Sequence, residues 1–302
     1  MTRGRLVRAA LSLALLALVW QAVDGAAVLE RLAVLDLVWI LAAIALLQGQ
    51  TLLSALRWRL TAARLGQPMP LGHAVREYFL SQTVNLTLPG GVVGDAARAV
   101  RGRGMAGLER ASQAVLFERV SGQAALVVVT LGAGGLSLVV PGGVSPPAAL
   151  IGGFVLLGGA VFVAVLGLLL AARRRPRLAA WWQALRWSVL HLDVRLHQAI
   201  LSLGTVAANV LSFAAAAAAV GVLLPPAAIF SVVPLVLFAM LLPFTIGGWG
   251  LREGAAVALL PLVGATPAAA FTASAAFGIA FLLASVLGLA LSWALPQRQP
   301  LA

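Results

Sequence analysis

A chain of 302 residues that is 62% hydrophobic and 10% charged, with a mean hydropathy of +1.02, carries more apolar sequence than a soluble core can bury, since ordinary soluble domains are about 25% charged. Its net charge of +12 comes from 21 arginines without a single lysine, and cysteine is absent. These counts exclude a P-loop, whose lysine must meet the nucleotide phosphates, and also disulfides, thiolate nucleophiles and zinc ribbons.

In chain order, Met1 to Val23 places Arg3, Arg5 and Arg8 before an apolar run. A secretory signal peptide has the same form, but the many later spans favour an uncleaved first helix with a cytoplasmic N-terminus. Asp24 to Arg31 is then expected as an external loop. A bilayer crossing takes roughly 20 apolar residues, and the second such run, Ala33 to Leu53, ends at Arg57, Arg59 and Arg64 on the cytoplasmic side. Further runs fall at Ala111 to Leu131, Pro147 to Ala172, Ala199 to Leu224 and Pro267 to Leu295. Arg173, Arg174, Arg175 and Arg177 mark a cytoplasmic loop after the fourth run, the uncharged stretch Gly132 to Pro147 lies outside, and Arg298 places the C-terminus inside. Trp181, Leu185, Val189, Leu192 and Leu196 recur at helical spacing, as in an interfacial amphipathic helix. Leu190 interrupts that stripe, and a cytoplasmic extension of the fifth span is the alternative.

Two apolar but interrupted segments, Leu71 to Arg103 and Ala227 to Gly264, fit none of the six full spans. The first is broken by Pro89, Gly90, Gly91 and Gly94, the second by Pro243, Gly247, Gly248 and Gly250. Broken backbone at membrane depth survives only where it is buried in protein or lines a cavity. Aligning Leu88-Pro89 with Leu242-Pro243 pairs Gly94 with Gly248 and Arg98 with Arg252 at a constant offset of 154. Three crossings separate the two segments, and an odd number inverts topology. The expected fold is therefore an all-α integral membrane protein, six full transmembrane helices plus two re-entrant hairpins. It forms one membrane domain, with 1–140 as the first repeat and 147–302 as the second, and paired breaks of this kind mark transporter substrate sites.

Asp95, Arg98, Arg252 and Glu253 stand beside the breaks. Ionisable groups inside a membrane segment pair, face a bundle interior or line a pathway, so these four either brace the hairpins or contact substrate. A helix restarting after each break would present free N–H groups and a partial positive charge. Gly90 and Gly91, or Gly247 and Gly248, would then admit a phosphate closely, with Arg98 or Arg252 forking onto it. Tyr78, Gln82 and Asn85 form a polar stripe on the leg before the first break, read as a wetted groove or as a hydrogen-bonded helix interface. Glu118-Arg119 is read first as an internal or interfacial pair, with substrate contact as the alternative. His73, His191 and His197 show no metal-ligand spacing, and no cofactor is expected.

Arg57-Trp58-Arg59, Tyr78, Asn85 through Pro89, Gly94-Asp95-x-x-Arg98, Glu118-Arg119 and Gly247-Gly248-Trp249-Gly250-Leu251-Arg252-Glu253 resemble the lysylphosphatidylglycerol synthase transmembrane region, or flippase-like, family over essentially the whole chain. The resemblance implies a polytopic membrane protein of bacteria or archaea that moves amphipathic lipids; relatives are linked to aminoacylated phospholipids, hopanoids and polyprenyl-linked sugars. Bifunctional members add a cytosolic aminoacyl-transfer domain. Only Pro296 to Ala302 follow the last span here, so synthesis is not expected. The expected partner is a membrane lipid with an anionic or phosphate-bearing headgroup, with a lipid-biosynthetic enzyme as a further partner and no nucleic acid. The competing expectations are a subunit of a lipid-modifying enzyme using Asp95 or Glu253 as a base, and a scaffold.

Overall fold

The computed structural model describes residues 3–88, 91–104, 106–139, 175–241 and 245–293, with scattered positions between 152 and 174. Pro89, Gly90, Leu242, Pro243 and the C-terminal tail lie outside the described residues, as does most of the expected fourth span. The elements are α1 (Arg3–Ala22), α2 (Gly25–Ala33), α3 (Leu37–Arg64), α4 (Leu71–Thr87), α5 (Val93–Arg101), α6 (Gly107–Val139), α7 (Pro176–Leu185), α8 (Leu192–Ala219), α9 (Pro226–Phe238), α10 (Leu251–Leu259) and α11 (Pro267–Trp293). No strand occurs among the described residues.

Among the described residues four helices are long and apolar enough to cross a bilayer: Leu37–Arg64, Gly107–Gly132, Leu192–Ala219 and Pro267–Trp293. The bent pair Ala10–Ala22 and Gly25–Ala33, meeting at 96°, makes a fifth if counted as one span. The bend replaces the external loop expected over Asp24 to Arg31. Asp24 accepts hydrogen bonds from the amides of Ala26 and Ala27, at 3.0 and 3.3 Å, and so restarts the helix in a new direction. Val28 of α2 is then buried beside Ala268 and Phe271 of α11, and Trp20 meets Phe271 edge-on at 5.7 Å.

α3 and α8 form the most extensive helix pair, and three contacts fix them antiparallel. The Asp36 amide donates to the Ala219 carbonyl at 2.8 Å, Arg57 donates to Ser202 at 3.3 Å, and Arg64 faces Asp193 at 3.8 Å. α11 packs against α2, α3, α4, α8 and α10. Its buried residues Ala269, Ala270, Ala273, Ala276, Ala280 and Ala284 are small, which lets backbones approach where lipid tails supply no hydrophobic drive. Phe213 of α8 and Phe277 of α11 stack at 5.4 Å within that core.

The two interrupted segments are helical pairs. α4 stops at Leu88, which turns extended, and α5 restarts at Val93. α9 runs into a short 3-10 turn, Ala239–Leu241, before α10 begins after Gly250. The amphipathic stripe expected from Trp181 to Leu196 is divided. A π turn at Arg186–Leu190 ends at His191, whose extended ψ of 147° breaks the chain. Trp181, Leu185 and Val189 pack into the cluster around Trp58 and Phe117, whereas Leu192 and Leu196 belong to α8 and stay exposed. The alternative holds for these last two: they extend the fifth span.

Candidate functional site

Between the two broken segments lies a cavity of about 260 Å³, walled by α3, α4, α6 and α8 and lined also by Met240, Thr245, Gly247 and Gly248 around the second break. Its charged wall is assembled from four helices. Arg57 of α3 reaches Glu118 of α6, and both side chains are almost completely buried. Glu118 also accepts from Arg98 of α5 at 3.3 Å and from the Tyr78 hydroxyl of α4 at 3.1 Å. Arg98 bridges onward to Asp95 at 2.9 Å, and Arg119 meets the other oxygen of Asp95 at 2.6 Å. Three arginines thus face two carboxylates, leaving one positive charge in surplus. Arg98 is further held between the rings of Trp58 and Tyr78, at 4.6 and 4.4 Å.

Glu118 and Arg119, adjacent on α6, pair with other residues and not with each other. Glu118 turns to Arg57 and Arg98, while Arg119 turns to Asp95 and to the Gly91 carbonyl, 2.9 Å away. Arg119 is the exposed member of the network, its side chain 35% accessible. Asp95 also accepts from Ser81 and from Asn85, each at 3.0 Å, so both carboxylates are fully engaged.

Gly94 shows why the first segment closes so tightly. A Cβ there would stand 2.0 Å from the Ser81 carbonyl oxygen, so only glycine lets α5 lie against α4. Its amide, at the start of α5, donates to Asn85 Oδ1 at 2.7 Å.

Of the residues singled out in the sequence, Asn85, Gly91, Asp95, Glu118, Arg119, Gly247 and Gly248 line the cavity. Arg98 stands behind its wall through Asp95 and Glu118. Arg252 and Glu253 do not line it. They pair with each other and share Ser274, at 3.0 and 3.1 Å, and Glu253 also accepts from the Gly250 amide at 2.7 Å. The N-terminus of α10 is thus capped by its own acid. Gly90 lies outside the described residues.

The cavity also collects polar residues that the sequence reading left aside: Gln50, Ser54, Gln123, Thr205, Asn209 and Thr245. Arg57 joins them, although the sequence marks it as the end of the second apolar run and as part of the resemblance. Their signal was present as isolated polar positions within apolar spans.

The uncharged groups extend deeper than the Arg57–Glu118 pair, and Asp95 reaches toward them through Ser81 and Asn85. Arg57, Glu118 and Ser202 share one level by direct contact. At 1.5 Å per residue, Gln50 lies about 10 Å along α3 from Arg57, Gln123 about 7.5 Å along α6 from Glu118, and Asn209 about 10 Å along α8 from Ser202. Gln82 belongs to this second level, accepting from Thr51 at 3.2 Å. Leu126, Val206, Leu237 and Phe281 supply the apolar part of the wall.

A bundle of apolar helices around a cavity lined by Arg57, Arg119, Asp95 and Glu118 defines an integral membrane protein with a polar interior site. The family model described as "Lysylphosphatidylglycerol synthase TM region" matches residues 5–298, and the chain belongs to that family. No curated protein matches the sequence.

Proposed function

We propose that the chain is a non-enzymatic lipid transporter, which moves an amphipathic lipid across or out of the cell's inner membrane and holds the anionic or phosphate-bearing headgroup between its two broken segments. The observation that carries this reading is the ion-pair network at the cavity, in which Arg57 and Arg119 on the wall and Arg98 behind it outnumber Asp95 and Glu118. Arg119 is partly exposed there and keeps guanidinium donors beyond those given to Asp95 and Gly91, and a guanidinium fork matches a phosphate. The apolar half of the same cavity suits the start of the acyl or prenyl chains.

In this proposal the breaks are re-entrant hairpins of an inverted repeat, entering from opposite sides of a six-span protein with both termini cytoplasmic. Support comes from the repeated arginines. Arg98 and Arg252 are both nearly inaccessible, each paired to a carboxylate and each stacked on two aromatic rings, Trp58 and Tyr78 or Trp249 and Phe277. The halves have diverged in use: the first faces the cavity, whereas in the second Arg252 and Glu253 brace α10.

An enzymatic role would need a carboxylate free to take a proton. Asp95 is committed to Arg98, Arg119, Asn85 and Ser81, and Glu253 to Arg252, Ser274 and Gly250. Transport is the better use of such a site. The test is reconstitution into liposomes with headgroup-labelled phosphatidylglycerol, followed by dithionite quenching from outside. Faster loss of the protected label than in empty liposomes is expected, and equal rates across anionic, aminoacylated and polyprenyl lipids would refute transport.

A further inference from the structure

Beyond the arginine layer, the cavity offers hydrogen-bonding groups that carry no charge. Gln82, Gln123, Asn209 and Thr245 line it. Gln82 Nε2 and Thr245 Oγ1 are buried with no partner among the described residues, their residues being 8% and 2% accessible. A buried polar atom left unpaired is costly, so two of them inside one cavity point to a ligand group that completes them. Carboxamides and hydroxyls both donate and accept, which is the complement of a hydroxyl group. An added ammonium on the ligand needs a carboxylate instead. The two at the site, Asp95 and Glu118, are already shared among Arg57, Arg98 and Arg119, which outnumber them.

Resting on the transport reading above, we propose that the site selects lipids whose phosphate bears an uncharged polyhydroxyl group, glycerol or a sugar, and rejects headgroups carrying an extra ammonium. The phosphate sits against Arg57 and Arg119, and the polyol reaches Gln123 and Asn209, which lie about 7–10 Å further along their helices than Glu118 and Ser202. An ammonium there finds no carboxylate free to pair with it, because Asp95 and Glu118 are already committed to Arg57, Arg98 and Arg119, and an unpaired charge in such a wall is costly.

The experiment measures binding, not transport, with purified full-length protein in detergent and three probes: short-chain phosphatidylglycerol, its lysyl ester, and water-soluble glycerol 3-phosphate. Phosphatidylglycerol should bind more tightly than the lysyl ester by about tenfold or more, the scale of an uncompensated like charge. Gln123→Glu and, independently on another helix, Asn209→Asp each supply a free carboxylate and should narrow or reverse that ratio. Equal or tighter binding of the lysyl ester by the unaltered protein overturns the selectivity, as does a ratio that neither folded variant moves. Glycerol 3-phosphate competing as well as the lipid would make the ligand a free metabolite and overturn the lipid assignment. Failure of every phosphate ligand to bind would sink the transport reading along with this one, whereas binding without discrimination sinks this one alone.

Discussion

Arg57 and Glu118 form an ion pair across α3 and α6, 61 positions apart in sequence, with side chains only 3% and 0% accessible. Such a pair stabilises little in itself, yet removing one partner strands the other. Glu118→Ala strands Arg57 and half of Arg98, and it should cost about 3–5 kcal/mol, read as a large fall in the thermal midpoint in detergent. Replacing the pair by packed apolar residues, Arg57→Met with Glu118→Leu, should recover most of that loss. Lipid transport should not return with it, because the charge that faces the headgroup is gone. Recovery of transport along with stability would show the pair to be purely structural.

Two glycines in neighbouring helices should respond in opposite directions. A methyl at Gly94 collides with backbone, the Ser81 carbonyl at 2.0 Å, which cannot swing aside as a side chain can. Gly94→Ala should therefore destabilise by about 3 kcal/mol, the upper end of overpacking costs, and should separate α4 from α5. Gly49, inside α3, has nothing within 4 Å of a built Cβ. Gly49→Ala should stabilise by about 0.5–1 kcal/mol by removing backbone freedom from the unfolded chain. Thermal midpoints of the two variants decide both.

Hydropathy made α3, α6, α8 and α11 legible as spans and placed the start of α11 at Pro267, but it cut α3 and α8 short for one physical reason. The sequence reading stops a span at its first charge, so Arg57 marks the end of the run from Ala33 to Leu53, whereas α3 continues through Arg64. Arg57 can stay inside the helix because Glu118 answers it from α6. α8 likewise begins at Leu192 and not at Ala199. Asp95 and Arg98 were recognisable as a pair because they stand three residues apart on one helix. The links from Arg98 to Glu118 and from Arg119 to Asp95 were not, since they depend on how α5 packs on α6. The carboxamides at Gln50, Gln123 and Asn209 converge only once three helices are placed together.

Arg119 tests the site with little damage to the fold. Its side chain is partly exposed, and Asp95 keeps Arg98, Asn85 and Ser81 when it is removed. Arg119→Ala should shift stability by no more than about 1 kcal/mol, as for a solvent-accessible pair. Label movement in liposomes should nevertheless slow by about tenfold or more, since a charge opposite the phosphate is lost. Arg101→Ala is the control: Arg101 pairs with Glu77 at 2.7 Å away from the cavity wall, and its loss should leave the rate unchanged. Equal effects of the two substitutions would remove Arg119 from the site.

Gly247 decides whether the two broken segments must approach each other for transport. It has φ +54°, and a Cβ there would lie 3.1 Å from the Leu86 carbonyl oxygen and 3.2 Å from its Cα, at the tip of the first segment. Gly247→Ala therefore adds left-handed strain of about 1–2 kcal/mol and also pushes the two tips apart. Gly221→Ala separates the two effects. Gly221 has φ +76°, with only Arg31 near its Cβ position, at 3.8 Å, so this variant carries the strain without the contact. Both should lower the thermal midpoint to a similar degree, and only Gly247→Ala should slow label movement. If Gly221→Ala slows it equally, strain explains the loss and the contact between the segments has no part in transport.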